Sequence, residues 1–333
     1  MKKRLGMLSC ISILVIILSG CNRINFSMEK VYTQEDMTHF YSDKVAIDQI
    51  TNIDVDSVYA DFEIIASDNY YIEYSYYYIN NEPKLSINDG TLTFSDRKMN
   101  TGSYSIRQEE NNYLKVYVPS TCNFESIKIQ KSSGDCLIGG FFTNELTVMN
   151  SYGDTIISNC AATLTDIELS SGKLTVENSN LNEAQIENEY GDIKLSTIND
   201  ENQWMDSFNI TMNSGKLDLS NLYCKKLELE NKYGDNNLSS VMLEKFHGNF
   251  DSGDLSITDA LVDEIQVENS YGNISMELLG QMDDYKYDIK SQYGSVQIGD
   301  STYENNVSID HGGEKEISLK VSSGNIEIMF KEQ

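Results

Sequence analysis

The chain has 333 residues, enough for one large domain or two, with 52 Asp and Glu against 25 Lys and Arg, a formal charge of −27, and 40% hydrophobic and 10% aromatic residues. That apolar share supports a real core and argues against a disordered acidic chain. An acidic body without a basic patch is repelled by phosphates, which removes nucleic acid from the expected partners.

In chain order, Lys2, Lys3 and Arg4 precede an apolar run from Leu5 to Ile17, followed by Leu18, Ser19, Gly20 and Cys21. A basic start, a short apolar middle and small residues before the cut predict a signal peptide over 1–20. The run is too short for a permanent transmembrane helix. Leu-Ser-Gly-Cys resembles the lipobox of bacterial lipoproteins, in which the cysteine thiol takes a diacylglycerol and becomes the first residue after cleavage. Cys21 is therefore the expected lipidation site; the alternative is an ordinary secretory signal in which Cys21 is incidental. Two acyl chains hold a protein on a membrane where one barely does. Cleavage removes Lys2, Lys3 and Arg4 and no acid, so the charge moves from −27 to −30, and such a body does not lie down on an anionic membrane. Residues 21–44 read as a polar tether.

Residues 45–130 read as an N-terminal β region and cap. Ile53 to Ile64 is a worn copy of the repeat described below, with Ala60 where glycine belongs. Strand-like segments follow at 70–79, 84–88, 91–95 and 114–118, with Asn88-Asp89-Gly90 as a hairpin signal. Tyr70, Ile72, Tyr74, Tyr76 and Tyr78 share one face, expected to pack as core or cap; the alternative is a ligand platform.

From 131 to 333 the chain repeats. Glycines at 134, 153, 172, 191, 215, 234, 253, 272, 294 and 324 are separated by 19, 19, 19, 24, 19, 19, 19, 22 and 30 residues. The longer gaps hold insertions near Thr197–Ser207 and Leu279–Lys286. Counting from each glycine, position +4 is always apolar (Ile138, Ile157, Val176, Leu195, Leu219, Leu238, Ile257, Met276, Ile298, Ile328), and positions +2 and −5 are mostly so. The step of two means strands on each side of a glycine corner. A unit of 19 residues cannot close a core alone, whereas stacked units bury a continuous column. The predicted fold class is all-β, a single-stranded β-helix or β-solenoid with about 19-residue coils and an irregular N-terminal β cap.

A longer period of 38 overlies the first. Position −1 alternates between Ser133, Ser171, Ser214, Ser252 and Tyr152, Tyr190, Tyr233, Tyr271, until Tyr293 breaks the order. Position −3 alternates in phase, with Asn150, Asn188, Asn231 and Asn269 in the Tyr coils and Leu169, Met212 and Phe250 in the Ser coils. Strand parity places both positions inside, which suggests volume compensation between neighbouring coils. The alternative is an exposed tyrosine stripe that binds sugar rings. Position +1 (Asp135, Asp154, Lys173, Asp192, Lys216, Asp235, Asp254, Asn273, Ser295, Asn325) reads as a solvated turn ladder. A calcium column is the sharper alternative, disfavoured by the interposed lysines and by the absence of glycine-rich nonapeptides.

Cys122, Cys136, Cys160 and Cys224 are expected to be free, buried thiols, because Cys122 and Cys160 stand two coils apart, about 9.6 Å, beyond disulfide reach. With no CxxC and three scattered histidines (His39, His247, His311), no metal site, cofactor or catalytic residue is predicted. The last residues, Ile326 to Gln333, carry no visible cover, which suggests an exposed final coil open to end-to-end association.

The run Ile53–Ile64, the pair of strands through Asn88-Asp89-Gly90-Thr91-Leu92, the strand end Val116-Tyr117-Val118-Pro119 and the following Ser-Gly-Asp and Tyr-Gly-Asp repeats resemble the "putative adhesin" family of bacterial β-strand repeat proteins, a family of unknown function. The resemblance covers about Val45 to Phe330. It implies a β-helix-like fold and a cell-surface setting, and it brings no catalytic residues. The function expected is that of a non-enzymatic, lipid-anchored protein at the extracellular face of the bacterial cell membrane, a structural or adhesive module whose partner is an envelope protein or glycan. Two alternatives stand beside it. One is a polysaccharide-active β-helix enzyme using loops at 197–207 and 279–286, although four coils, about 19 Å, separate those insertions. The other is an envelope-stress sensor or regulator.

Overall fold

The computed structural model describes residues 30–79, 81–96, 104–107, 112–197 and 202–332. The signal peptide expected over 1–20 and the expected lipidation site Cys21 lie outside the described residues. Among the described residues the only helices are the short 3-10 turns Gln34–Asp36 and Met282–Asp284. Nearly everything else is strand, and twenty-five strands join in one continuous sheet.

The repeat is a parallel coil. The strands Leu217–Tyr233, Asn236–Ser252 and Leu255–Tyr271 pair in parallel with a shift of one repeat, so that Leu219, Leu238 and Ile257 stand above one another. Along Leu217–Tyr233 the inward residues are Leu217, Leu219, Leu222, Cys224, Leu227, Leu229 and Asn231. Their alternation is reset at three places per coil, so each turn has three sides. One reset is the glycine. The second lies six residues on, where Asn159, Asn178, Asn221, Ser240 and Asp259 adopt φ between 49° and 55°, the left-handed conformation that Asn and Asp tolerate best among residues with a Cβ. The third is a pair of adjacent exposed residues such as Lys225 and Lys226. The buried columns fill the interior with one continuous apolar core. Gly248, at a −5 position that is otherwise apolar, belongs to this filling: a Cβ there would lie 2.8 Å from the Phe250 ring and 3.2 Å from Phe246.

The stack does not follow chain order at its ends. The strands Lys315–Ser323 and Ile326–Lys331 insert between the coil of Leu255–Leu279 and that of Tyr285–Ile298, pairing in parallel with both. Ser301–Tyr303 and Asn306–Asp310 then pair antiparallel with the outermost strands Val296–Ile298 and Tyr285–Tyr293. This corrects the expectation of an exposed final coil, since the last residues of the repeat are flanked on both sides. At the other end, Asn52–Ser57 and Ala60–Ser67 lie between the coil of Asn123–Gly139 and an outer layer made of Thr91–Ser95 and Asn112–Pro119. Antiparallel strands cap that layer: Tyr71–Tyr78 on Asn112–Pro119, Thr38–Ala46 on Tyr71–Tyr78, and Lys84–Asn88 on Thr91–Ser95. This corrects the reading of 21–44 as a tether, since residues 38–44 belong to the cap, where Phe40 stacks on Tyr74 and packs against the core. The Asn88–Thr91 hairpin is as expected, with Asp89 and Gly90 both at positive φ. Ile72 and Tyr76 are buried, and Tyr70, Tyr74 and Tyr78 pack against the core, as expected of cap residues. The antiparallel strands cover the end coils of the stack, and each outermost one is itself paired on a single side.

Candidate functional site

The glycine corner is the most regular feature of the molecule. At Gly234 φ is +149°, and a Cβ would lie 1.9 Å from the carbonyl oxygen of Gly215. Each corner carbonyl therefore points along the axis at the Cα of the next corner, and only glycine leaves room for it. The contacts give the spatial order Ala60, Gly134, Gly153, Gly172, Gly191, Gly215, Gly234, Gly253, Gly272, Gly324, Gly294.

Two side-chain ladders hold the corners together. Asn188 Nδ2 donates to the carbonyls of Gly172 at 3.2 Å and Gly191 at 3.1 Å. Asn150 straps Gly134 to Gly153 and Asn231 straps Gly215 to Gly234 in the same way, and Asn269 donates to Gly253. One amide has two N–H donors, so one asparagine serves two coils. That explains the 38-residue period and why the intervening coils carry Leu169, Met212 and Phe250, all buried. Each strapping asparagine leaves its buried Oδ1 without a hydrogen-bond partner.

The second ladder is at +1. The Asp154 N–H donates to Asp135 Oδ1 at 3.0 Å, the Lys216 N–H to Asp192 at 2.9 Å, and the Asn273 N–H to Asp254 at 2.7 Å. The order again runs through the inserted coil, with Asn325 donating to Asn273 and Ser295 to Asn325. The acidic column thus caps backbone amides of the neighbouring coil. Among the described residues no group of three or more His, Cys, Asp or Glu could hold a metal ion.

The structure corrects the reading of position −1. The asparagines at −3 are inside, as parity predicts, but Tyr152, Tyr190, Tyr233, Tyr271 and Tyr293 are 56–69% exposed. From the Gly153 coil onward the ladder pairs −3 with −3 and −1 with −1 and skips −2, as between Leu169↔Asn188 and Ser171↔Tyr190. The chain turns at the skipped residue and carries the −1 side chain off the lumen. Parity cannot be extrapolated across that kink. Tyr59, next to Ala60, occupies the same place and is 52% exposed. In spatial order the edge therefore reads Tyr59, Ser133, Tyr152, Ser171, Tyr190, Ser214, Tyr233, Ser252, Tyr271, Ser323, Tyr293. The alternation that Tyr293 breaks along the chain is restored in space, because Ser323 pairs with both Tyr271 and Tyr293.

Other clusters are structural in character. Beneath the cap, the buried carboxylate of Asp96 accepts from Tyr76 Oη, from Ser57 Oγ at 3.1 Å and from the Val58 N–H at 2.6 Å. Burial and the neighbouring Asp96 push the Tyr76 phenol up. Lys131 fills the −3 position of its coil, 2% exposed, and donates to the Asp135 carbonyl; burial lowers its amine. Sequence reading missed this lysine, although its −3 place was visible. His39 stacks between Tyr41 and Tyr77, and His247 bridges Glu228 and Glu264 at 4.0 and 3.5 Å. A shallow, open depression of about 380 Å³ lies over Gly248, rimmed by Glu228, Glu230, His247 and Glu268. The two insertions attach to the Gly191 and Gly272 coils, four ladder steps or about 19 Å apart, and do not converge. Cys122, Cys136, Cys160 and Cys224 are unpaired and buried, as expected.

No curated protein matches this chain. Among solved structures, a putative adhesin from Bacteroides fragilis is 14% identical over 90% of this chain and 100% of its own, with a TM-score of 0.37. A putative adhesin from Parabacteroides distasonis is 11% identical over 74% and 100%, at 0.36. A putative lipid binding protein from the same species is 12% identical over 91% and 98%, at 0.30. The Toastrack DUF4097 family model matches residues 50–203 and again 201–329, meeting inside the Thr197–Ser207 insertion while the corner column runs on through both copies. The chain belongs to the Toastrack DUF4097 family.

Proposed function

We propose that this protein is a non-enzymatic, adhesin-like module of the bacterial cell surface, anchored at the extracellular face of the membrane by a lipid on Cys21, that binds its partner along the tyrosine edge. The observation that carries the reading is the Tyr/Ser alternation, continuous in space even where chain order and stacking order part. An edge of exposed aromatic rings is not needed to close the corner, since the serine coils make the same turn without one: φ is +134° at Gly172 and +147° at Gly191. Large exposed apolar groups held in a row are a recognition surface in a soluble body. The charge of −30 after cleavage, −27 less the three positive charges of Lys2, Lys3 and Arg4, keeps the body off an anionic bilayer and leaves the edge free to face outward.

Pull-down from envelope fractions with the intact chain tests the edge. Changing Tyr152, Tyr190, Tyr233 and Tyr271 together to Ser is expected to abolish capture, and undiminished capture refutes the assignment. Cys21→Ala is expected to release the protein from the membrane fraction; retention there refutes the anchor.

A further inference from the structure

Six tyrosines stand on one line at every second coil, an interval of about 9.6 Å at the usual strand spacing. A folded partner has no reason to repeat on that interval. A linear polymer has. We infer that the edge binds a neutral or amine-bearing β-1,4-linked polysaccharide laid along the solenoid axis, with one sugar face on each tyrosine and one disaccharide for every two coils. The inference rests on the tyrosine edge being the binding surface, and it adds the chemical class and register of the ligand.

Three features of the edge select this class. In an extended β-1,4-linked chain every second ring presents the same face, so its disaccharide repeat is matched by an aromatic platform at every second coil. Sugar rings offer an apolar face and a hydroxyl rim. The edge offers an aromatic face at Tyr152, Tyr190, Tyr233 and Tyr271, separated by the half-buried hydroxyls of Ser171, Ser214 and Ser252. The exposed +1 column beside it, acidic on balance although Lys173 and Lys216 interrupt it, brings Asp135, Asp154, Asp192, Asp235 and Asp254, acceptors for hydroxyl, amide or ammonium groups. Those carboxylates repel anionic polymers, and they also repel the same edge of a second copy. A proline-rich peptide repeats on about 9.3 Å per turn, close to the same interval, but such peptides dock into aromatic-lined grooves, and this edge is a corner with a single row of rings.

The probe is a series of chito-oligosaccharides titrated calorimetrically into the intact chain. Affinity is expected to rise with each added disaccharide, and Tyr190→Ser with Tyr233→Ser to weaken binding of the longest oligomer at least tenfold. A variant that keeps the number of rings but breaks their spacing, Tyr190→Ser with Ser214→Tyr, is expected to weaken it as much while leaving the circular dichroism spectrum unchanged. Wild-type affinity in the spacing variant overturns the register match. Absence of oligosaccharide binding, or capture of a proline-rich peptide in its place, overturns the ligand class; where envelope capture still depends on the tyrosines, the edge itself stands. Capture that ignores the tyrosines overturns both.

Discussion

Asn188→Leu isolates the strap that sets the two-coil period. In the native corner the Asn188 amide donates to Gly172 at 3.2 Å and Gly191 at 3.1 Å, while its own Oδ1 is buried and unpartnered. Leucine, which the preceding coil carries as Leu169, removes both donors and the orphaned oxygen at once. A buried acceptor deprived of its donor costs about 1–3 kcal/mol. Two such losses set against one orphan relieved leave about one acceptor, so the expected destabilisation is about 1–3 kcal/mol. It is read as a lower urea midpoint at unchanged slope. Tyr190→Ser, an exposed change two residues away, is expected to stay within about 0.5 kcal/mol, and the double variant to equal the sum of the two. This reverses the expectation from volume compensation, in which the second change would rescue the first. A fully stable Asn188→Leu protein, or rescue by Tyr190→Ser, refutes the strap.

Gly234→Ala should be among the most damaging single-methyl changes, costing more than about 3 kcal/mol, because strain at positive φ adds to a backbone collision at 1.9 Å; a mild loss in thermal melts contradicts the corner geometry. Lys131→Met is expected to leave stability at neutral pH unchanged or higher, since a buried ammonium gives way to an apolar chain of similar length. Because burial lowers the folded amine, the native protein sheds its proton before the unfolded chain does. Its stability relative to the variant should then rise as pH climbs through the lowered value toward the ordinary lysine range, and a pH-independent difference refutes this. Burial raises the thiols of Cys122, Cys136 and Cys224 to about 11 and that of Cys160 to about 12, leaving a thiolate fraction of about a thousandth or less at pH 8. Alkylation followed by mass spectrometry should find these four untouched in the folded chain and all four modified after unfolding without reductant; early modification would contradict their burial. Deleting residues 315–333 removes a coil paired on both sides, so hydrogen exchange should accelerate over 285–310 while the coils of 123–190 keep their protection, as nearest-neighbour stability requires. Uniform loosening would refute that independence.

The glycine spacing and the apolar residues at +4, +2 and −5 were enough to identify stacked coils, because a 19-residue repeat can bury its inner face only against copies of itself. The asparagines at −3 were legible as inward residues, but not as straps. Their purpose depends on where the glycine carbonyls point, and that follows from the positive φ at each corner. The second corner carried a readable signal, Asn, Ser or Asp six residues after the glycine, the side chains that suit a left-handed turn or bond locally to the backbone.

Tertiary structure alone decided two matters. The first was the outward direction of the tyrosines. Strand alternation is a local rule and holds only while the ladder is unbroken, and the skipped pair at −2 lies between Asn188 and Tyr190. The second was the order of the coils. Ser323 carried a hint in its phase, but which strand lies beside which is a long-range choice, made here by Lys315–Lys331 finding complementary apolar rows and open hydrogen bonds on both sides at once. Composition, period and the inward face were written along the chain; the unbroken tyrosine edge exists only after the stack has closed around its own end.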